Sequence, residues 1–278
     1  MSNSTSWMAE RQLHFMDCED SESMQLRMHR DLEVISALSG SLAVYGMRVI
    51  VENGYAIDAA CSGQLTRMHY DGDILVATPG ESNDPQLRTL LEQIANEESN
   101  LDWYLVQEDQ PSWVSLYESN KRRFMDEEND TELAQRINVH IAQALEPFKD
   151  SNQVTFSAKP GVTYVKPVIE AAIKDTMGHE FNLQVATAAD SAATKTRWIR
   201  SFGNLYGGIQ LRESDEFDFE MLFNCPRFDA AEYVNILRDY YVNKGADPAN
   251  VPGIIARELQ PVKHLLPNHL AYLAISNS

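Results

Sequence analysis

Between Met24 and Tyr45 the apolar positions Leu26, Met28, Leu32, Val34, Ile35, Leu38, Leu42 and Val44 recur at helical spacing. This predicts one or two helices interrupted around Ser39-Gly40. A short apolar strand, Met47 to Val51, follows; Gly54 breaks the chain, and Tyr55 to Ser62 reads as a helix ended by Gly63. A strand opens at Asp71, and after the turn residues Thr78 to Asp84, Pro85 stands at the first position of a helix expected to run to about Glu98. Trp103–Gln107 and Trp113–Glu118 read as a hairpin, and the alternation of Arg136–Ile141 as a strand with Val154–Ser157 beside it. Val168–Met177 reads as a helix and Phe181–Thr187 as a strand. From Asp190 onward the pattern turns helical, in Asp190–Phe202, Phe217–Phe223, Ala230–Asn243 and Val251–Leu266, broken by Gly and Pro. The expected organisation is a loosely ordered tail over 1–24, an α/β (α+β) domain over 25–187 and a helical C-terminal domain over 188–278. The aromatic positions Trp198, Phe202, Tyr206, Phe217, Phe219 and Phe223 are expected to form the core of the last.

Composition adds two constraints. The chain has 278 residues, 44% of them apolar, and a formal net charge of −18. Phosphate neutralisation supplies most nucleic-acid affinity, so this charge disfavours a nucleic-acid partner and suits a cationic small molecule. The one short basic run, Lys121-Arg122-Arg123, is followed at once by the acidic stretch from Asp126 to Asp130. No apolar run is long enough to span a bilayer, and the N-terminus lacks the basic and apolar blocks of a secretory signal, so a cytoplasmic protein without membrane contact is expected. Cys18, Cys61 and Cys225 are odd in number and far apart, which offers neither a disulfide framework nor a Cys-x-x-Cys site.

Candidate chemistry concentrates at Asp71-Gly-Asp73. Residues i and i+2 of a strand share a face, so both carboxylates can converge on one Mg²⁺ while Ile74, Leu75 and Val76 anchor the backbone. The alternative is a pair of turn acids capping a strand. An EF-hand does not fit, because apolar residues follow where oxygen ligands should continue. Upstream, Asn53-Gly54 forms a turn whose backbone can approach a phosphate closely. Glu108 and Asp109, at the hairpin end, offer either contact with a cationic substrate or a solvated turn.

The series Gly54-Tyr-Ala-Ile-Asp58, Thr66-Arg-Met-His69, Asp71-Gly-Asp73, then Val185-Ala-Thr-Ala-Ala-Asp190 leading to Lys195, and Asp215-Glu-Phe-Asp218, resembles the nucleotidyltransferase superfamily. It is most similar to the aminoglycoside and lincosamide nucleotidyltransferase branch. The resemblance implies a mixed β-sheet flanked by helices with a helical domain after it. It implies transfer of a nucleoside monophosphate, AMP from ATP in the leading case, to a hydroxyl of a small acceptor, with Mg²⁺ held by Asp71 and Asp73. Asn53, Gly54, Arg67 and Lys195 would face the nucleotide, Lys195 as a point charge for its phosphates. Relatives acting on tRNA or protein supply another reading of the same motifs.

The chain departs from that pattern at the strand expected to carry a third carboxylate. The matching segment, Arg136-Ile-Asn138-Val-His140, has an amide there, which cannot take up a proton. His140, on the same face, and Glu118, at the end of a neighbouring strand, are the candidate replacements. If neither serves, the chain is a degenerate member that binds nucleotide without transferring it.

Overall fold

A computed structural model describes residues 21–275 apart from 70, 83, 100–102, 108–112, 119–123, 127–130, 134–135, 146–151, 160–161 and 206–210. The chain divides into two compact units, Met1–Val185 and Ala186–Ser278. In the first, helix α1 (Ser21–Ala43) leads to β1 (Arg48–Glu52), α2 (Asn53–Cys61), β2 (Asp71–Thr78) and α3 (Pro85–Ser99). Strands β3 (Trp103–Gln107), β4 (Trp113–Glu118), β5 (Phe124–Asp126), β6 (Thr131–Leu133), β7 (Arg136–Ala144), β8 (Gln153–Lys159), β9 (Val162–Lys174) and β10 (Glu180–Ala186) follow.

α1 is one helix, not two, and it begins at Ser21, inside the stretch expected to be a tail. Met28, Leu32, Ile35, Leu38 and Leu42 are all fully buried, a continuous stripe on both sides of Gly40. A mid-helix glycine costs roughly 0.5–1 kcal/mol, whereas burying Leu42 beyond it contributes about 1.5–3 kcal/mol. The stripe wins, and the helix runs through.

Among the described residues the main sheet has eight strands in the order β2-β1-β10-β9-β8-β7-β4-β3, and β2 also pairs with β7. The first six strands therefore close on themselves. β2 is antiparallel to β1 and parallel to β7, so the sheet is mixed. On the enclosed face Ile50, Leu75, Ala77, Ala142, Val154, Phe156 and Val168 form one apolar cluster, with Tyr164 against it. The alternate positions Val49, Val51, Ile74, Val76, Ile137 and Val139 are buried on the other face. Gly72 belongs to that second face: a Cβ there would meet Ile35 Cδ1 at 3.2 Å and Tyr55 Cε2 at 3.5 Å. Helix α1 thus lies close over the start of β2. This is the mixed, helix-flanked α+β architecture expected from the nucleotidyltransferase resemblance.

The helix expected over Val168–Met177 is instead the second half of β9, which continues to Lys174. Glu170-Ala-Ala favours a helix locally, but β9 is paired along β8 up to Pro167, lies beside β10, and at Lys174 exchanges backbone hydrogen bonds with Gly63 and Leu65. That pairing, with Val168, Ala171 and Ile173 buried, overrides a local preference worth tenths of a kcal/mol per residue. The hairpin of Trp103–Gln107 with Trp113–Glu118 forms as read, with Leu105 opposite Leu116.

The second unit contains α4 (Ala188–Leu205), α5 (Glu213–Asn224), α6 (Ala230–Asn243) and α7 (Val251–Glu258), with 3₁₀ turns at Pro248–Asn250, Gln260–Leu265 and Asn268–Ala274. Val251–Leu266, read as one helix, is thus α7 followed by a 3₁₀ segment. Phe217, Phe219, Phe223, Tyr233 and Leu237 are buried together, with Phe219 and Phe223 stacked at 5.5 Å. Asp229 caps α6 by accepting from the amides of Ala231 and Glu232. Trp198, expected in this core, is half exposed. Tyr206 and the side chain of Phe202 lie outside the described residues. No described helix is long and apolar enough to cross a membrane.

Candidate functional site

Asp71 and Asp73 open β2, and the register sets Asp73 opposite Glu52 of β1 on one side and Asn138 of β7 on the other. Because alternate residues share a face, Glu52, Asp71, Asp73 and Asn138 stand at one end of the enclosed face, beyond its apolar cluster. The Asn138 amide bridges the two carboxylates: Nδ2 donates to Asp71 Oδ2 at 3.0 Å and to Asp73 Oδ1 at 2.9 Å. Its Oδ1 accepts from Ser115 Oγ of β4 at 3.2 Å. Asp73 Oδ2 accepts a further bond from Asn53 Nδ2 at 2.9 Å. Lys166 of β9 pairs with Glu52, Nζ to Oε1 at 2.6 Å, with both side chains largely buried.

Electrostatically the pair is under tension. Burial, and then the neighbouring Asp71, push the Asp73 carboxyl up to about 6, against the opposing pull of the Asn138 and Asn53 amides. A desolvated carboxyl beside a second acid is disfavoured in its ionised form.

Asn53 does more than tolerate a turn. Its φ of +49° makes it the one described non-glycine residue in the left-handed region, which asparagine accepts readily. The same conformation opens α2 while the side chain holds Asp73. No glycine at that position could supply the amide.

Gly54 and Arg67 also come together, around a buried residue the sequence reading had left without a role. Asp58 accepts from the backbone N–H of Thr66 at 3.0 Å, from Thr66 Oγ1, and it pairs with His69 Nε2 at 2.8 Å. These bonds fold the Thr66–His69 segment back over α2. A Cβ on Gly54 would lie 2.6 Å from His69 Cε1, closer still to Nδ1, and 3.1 Å from Arg67 Nη2. Glycine is required there because the His69 ring occupies the space. The signal was present in the sequence: an acid at the end of a short helix, followed by Thr-x-x-His.

The remaining candidates scatter. His140 lies opposite Leu75, one step deeper on the enclosed face, its ring edge-on to Phe156 at 6.1 Å. Burial holds its imidazole below the usual range. Glu118 closes β4 three positions beyond Ser115, the partner of Asn138, and its side chain lies outside the described residues. So do Glu108, Asp109 and the basic run Lys121–Arg123. In the second unit, Lys195 Nζ is held by Asp215 Oδ1 at 3.0 Å and Asp218 Oδ2 at 2.7 Å. The Asp-x-x-Asp spacing therefore closes on the lysine.

The donor set suits a hard divalent cation. Asp71 and Asp73 supply carboxylate oxygens that already converge on one donor, and Asn138 can present its carbonyl oxygen by turning its amide over. Ser115 can serve either amide orientation, because a hydroxyl both donates and accepts.

No family profile and no curated protein matches the chain. Among solved structures it is similar to the CD-NTase CdnG of Bradyrhizobium diazoefficiens in complex with GTP, at 11% identity over 88% of this chain and 90% of that one, with a TM-score of 0.28. In its own geometry the first unit is a mixed sheet flanked by helices, with a carboxylate pair at the head of one strand and a polar third position on the neighbouring one.

Proposed function

We propose that the chain is a Mg²⁺-dependent nucleotidyltransferase that moves a nucleoside monophosphate, AMP from ATP in the leading case, to a hydroxyl of a small acceptor. The observation that carries this reading is the convergence of Asp71 and Asp73 on the single amide nitrogen of Asn138. It shows two carboxylates aimed at one point on a buried polar face. Asp71 and Asp73 would hold the cation, with the turned-over amide of Asn138 as a neutral third ligand. Bound there, Mg²⁺ supplies charge neutralisation for attack at an α-phosphate. The chain's own groups do the rest: Asn53 fixes the Asp73 carboxylate, and Glu52 with Lys166 sets the charge beside it. Arg67 and the backbone of the Asn53-Gly54 turn are the proposed nucleotide contacts, while Lys195 stays with Asp215 and Asp218. The net charge of −18 favours a cationic acceptor over a nucleic acid.

A second reading follows from Asn138 itself. An amide is no general base, so the site can bind Mg²⁺ and a triphosphate without transferring anything. Both readings require metal-dependent nucleotide binding that Asp73→Asn removes.

The experiment follows pyrophosphate release from each of the four triphosphates with Mg²⁺ and a panel of aminoglycosides, lincosamides and nucleosides, alongside calorimetry of nucleotide binding. Release that disappears in Asp73→Asn establishes the transferase. Mg²⁺-dependent binding without release moves the conclusion to the degenerate reading. Absence of both refutes the nucleotide site altogether.

A further inference from the structure

His29 of α1 reaches the turn between β9 and β10, where Asp175 and His179 stand on either side of Gly178, whose φ is +92°. His29 Nδ1 lies 2.7 Å from Asp175 Oδ2, and His179 Nδ1 lies 3.3 Å from the same oxygen. One donor atom from each of the three residues falls within 4.8 Å of the others. The Asp175 side chain is fully buried, that of His29 is 13% exposed and that of His179 is 59% exposed. The cluster thus has a closed floor and one ring at the surface.

The second nitrogen of His29, Nε2, faces Glu33 Oε1 at 3.2 Å, so both ring nitrogens confront carboxylates. A neutral imidazole has one N–H and can donate to only one of them. A proton on each nitrogen satisfies both carboxylates, and so does a cation on the Nδ1 lone pair with Nε2–H left for Glu33. A carboxylate on the far ring nitrogen is the usual partner of a metal-bound histidine and fixes its tautomer and ring orientation. Asp175 is oriented as well, because its other oxygen accepts from the His179 backbone N–H at 2.7 Å.

We propose that His29, Asp175 and His179 form a binding site for a zinc-class divalent cation, which ties α1 to the β9–β10 turn. Two imidazoles and one carboxylate are the donors that borderline ions prefer, whereas the all-oxygen pair at Asp71 and Asp73 suits Mg²⁺. Ligand atoms around a tetrahedral zinc, at bond lengths of about 2.0–2.2 Å, stand about 3.3–3.6 Å apart. The observed separations approach this, and the exposed His179 ring has room to adjust. The site stands apart from the nucleotidyltransferase reading and survives its failure.

The full-length protein, stripped with a chelator, is titrated with zinc and with cobalt by calorimetry and visible absorption. One ion per chain is expected, with the d–d bands of a low-coordinate cobalt site, a raised Tm, and no displacement by excess Mg²⁺. His179→Gln alters an exposed turn ring, so the variant folds, and it should bind zinc at least tenfold more weakly; His29→Gln should lose binding. Wild-type protein that takes up no stoichiometric zinc or cobalt overturns the proposal. Unchanged affinity in both variants does so too, and reduces the cluster to a hydrogen-bonded staple.

Discussion

Asp71 and Asp73 on β2, and Asp215 and Asp218 on α5, are both close aspartate pairs, yet they are neutralised in opposite ways. The helical pair closes on Lys195, and Arg212 adds Nε to Asp215 Oδ2 at 2.8 Å. Asp215 is accordingly held below the usual carboxylate range: its burial works the other way, but the Arg212 hydrogen bond and the charges of Lys195 and Arg212 outweigh it. Asp73 is held by two neutral amides and is pushed up to about 6. One pair is a finished ion cluster, and the other keeps a poorly compensated carboxylate on a largely buried face. An uncompensated carboxylate of that kind, held at a cost in stability, is common at functional sites.

The largest expected effect tests the finished cluster. Lys195→Met leaves Asp218, only 2% exposed, and the largely buried Asp215 without their shared cation. Removing one partner of a buried ion network typically costs about 3–5 kcal/mol. Chemical denaturation should show that loss; a change under about 1 kcal/mol would mean that Arg212 and solvent suffice, and the contrast between the pairs would weaken. Next comes Asn138→Asp, which adds a third carboxylate beside the strand pair. On the transferase reading it supplies the missing base and should raise turnover about 10²-fold, the lower range for general-base catalysis. Without Mg²⁺ the same variant should be less stable than wild type, since three acids would then crowd one face. Turnover that falls instead would show that the bridging amide is itself needed.

How much of this could be read beforehand depends on how local each feature is. The short helix around Gly54, the strand opening at Asp71 and the hairpin at Trp103–Glu118 follow from turn residues and alternation within a few positions, although the helix opens at Asn53, two residues before the expected Tyr55. The position of Asn138 followed from the motif order, and the register sets it beside Asp73. The second half of β9 was misread because its strand character comes from β8 and β10, not from its own residues. Closure through the β2–β7 pairing is likewise a long-range property. Asp58 went without a role because its partners Thr66 and His69 become neighbours only once the loop has folded back. Gly54 was read as a place for a phosphate to approach, while the ring that crowds it belongs to His69, fifteen positions on.

A smaller effect should appear in the stability of the strand pair with pH. The folded-state value of Asp73 lies above its ordinary one, so the folded protein binds that proton more tightly than the unfolded chain does. The cost of ionising it is absent below about pH 4, grows as pH rises, and is complete above about 6. Wild-type protein should therefore gain stability through this group as pH falls from 7 to 5. Glu232, also raised by burial, contributes in the same direction, so the informative quantity is the difference from Asp73→Asn. That variant should be more stable than wild type at pH 7.5 by about 1 kcal/mol, a Tm higher by about 2–4 °C, and the gap should narrow by about half at pH 5 and close by about pH 4. Mg²⁺ should raise the Tm of the wild type and leave that of the variant unmoved, because a cation that binds only the folded pair stabilises only where both carboxylates are present. A variant that melts lower than wild type at every pH would mean that the Asn53 and Asn138 amides fully compensate Asp73. The strand pair would then be as finished as the helical one.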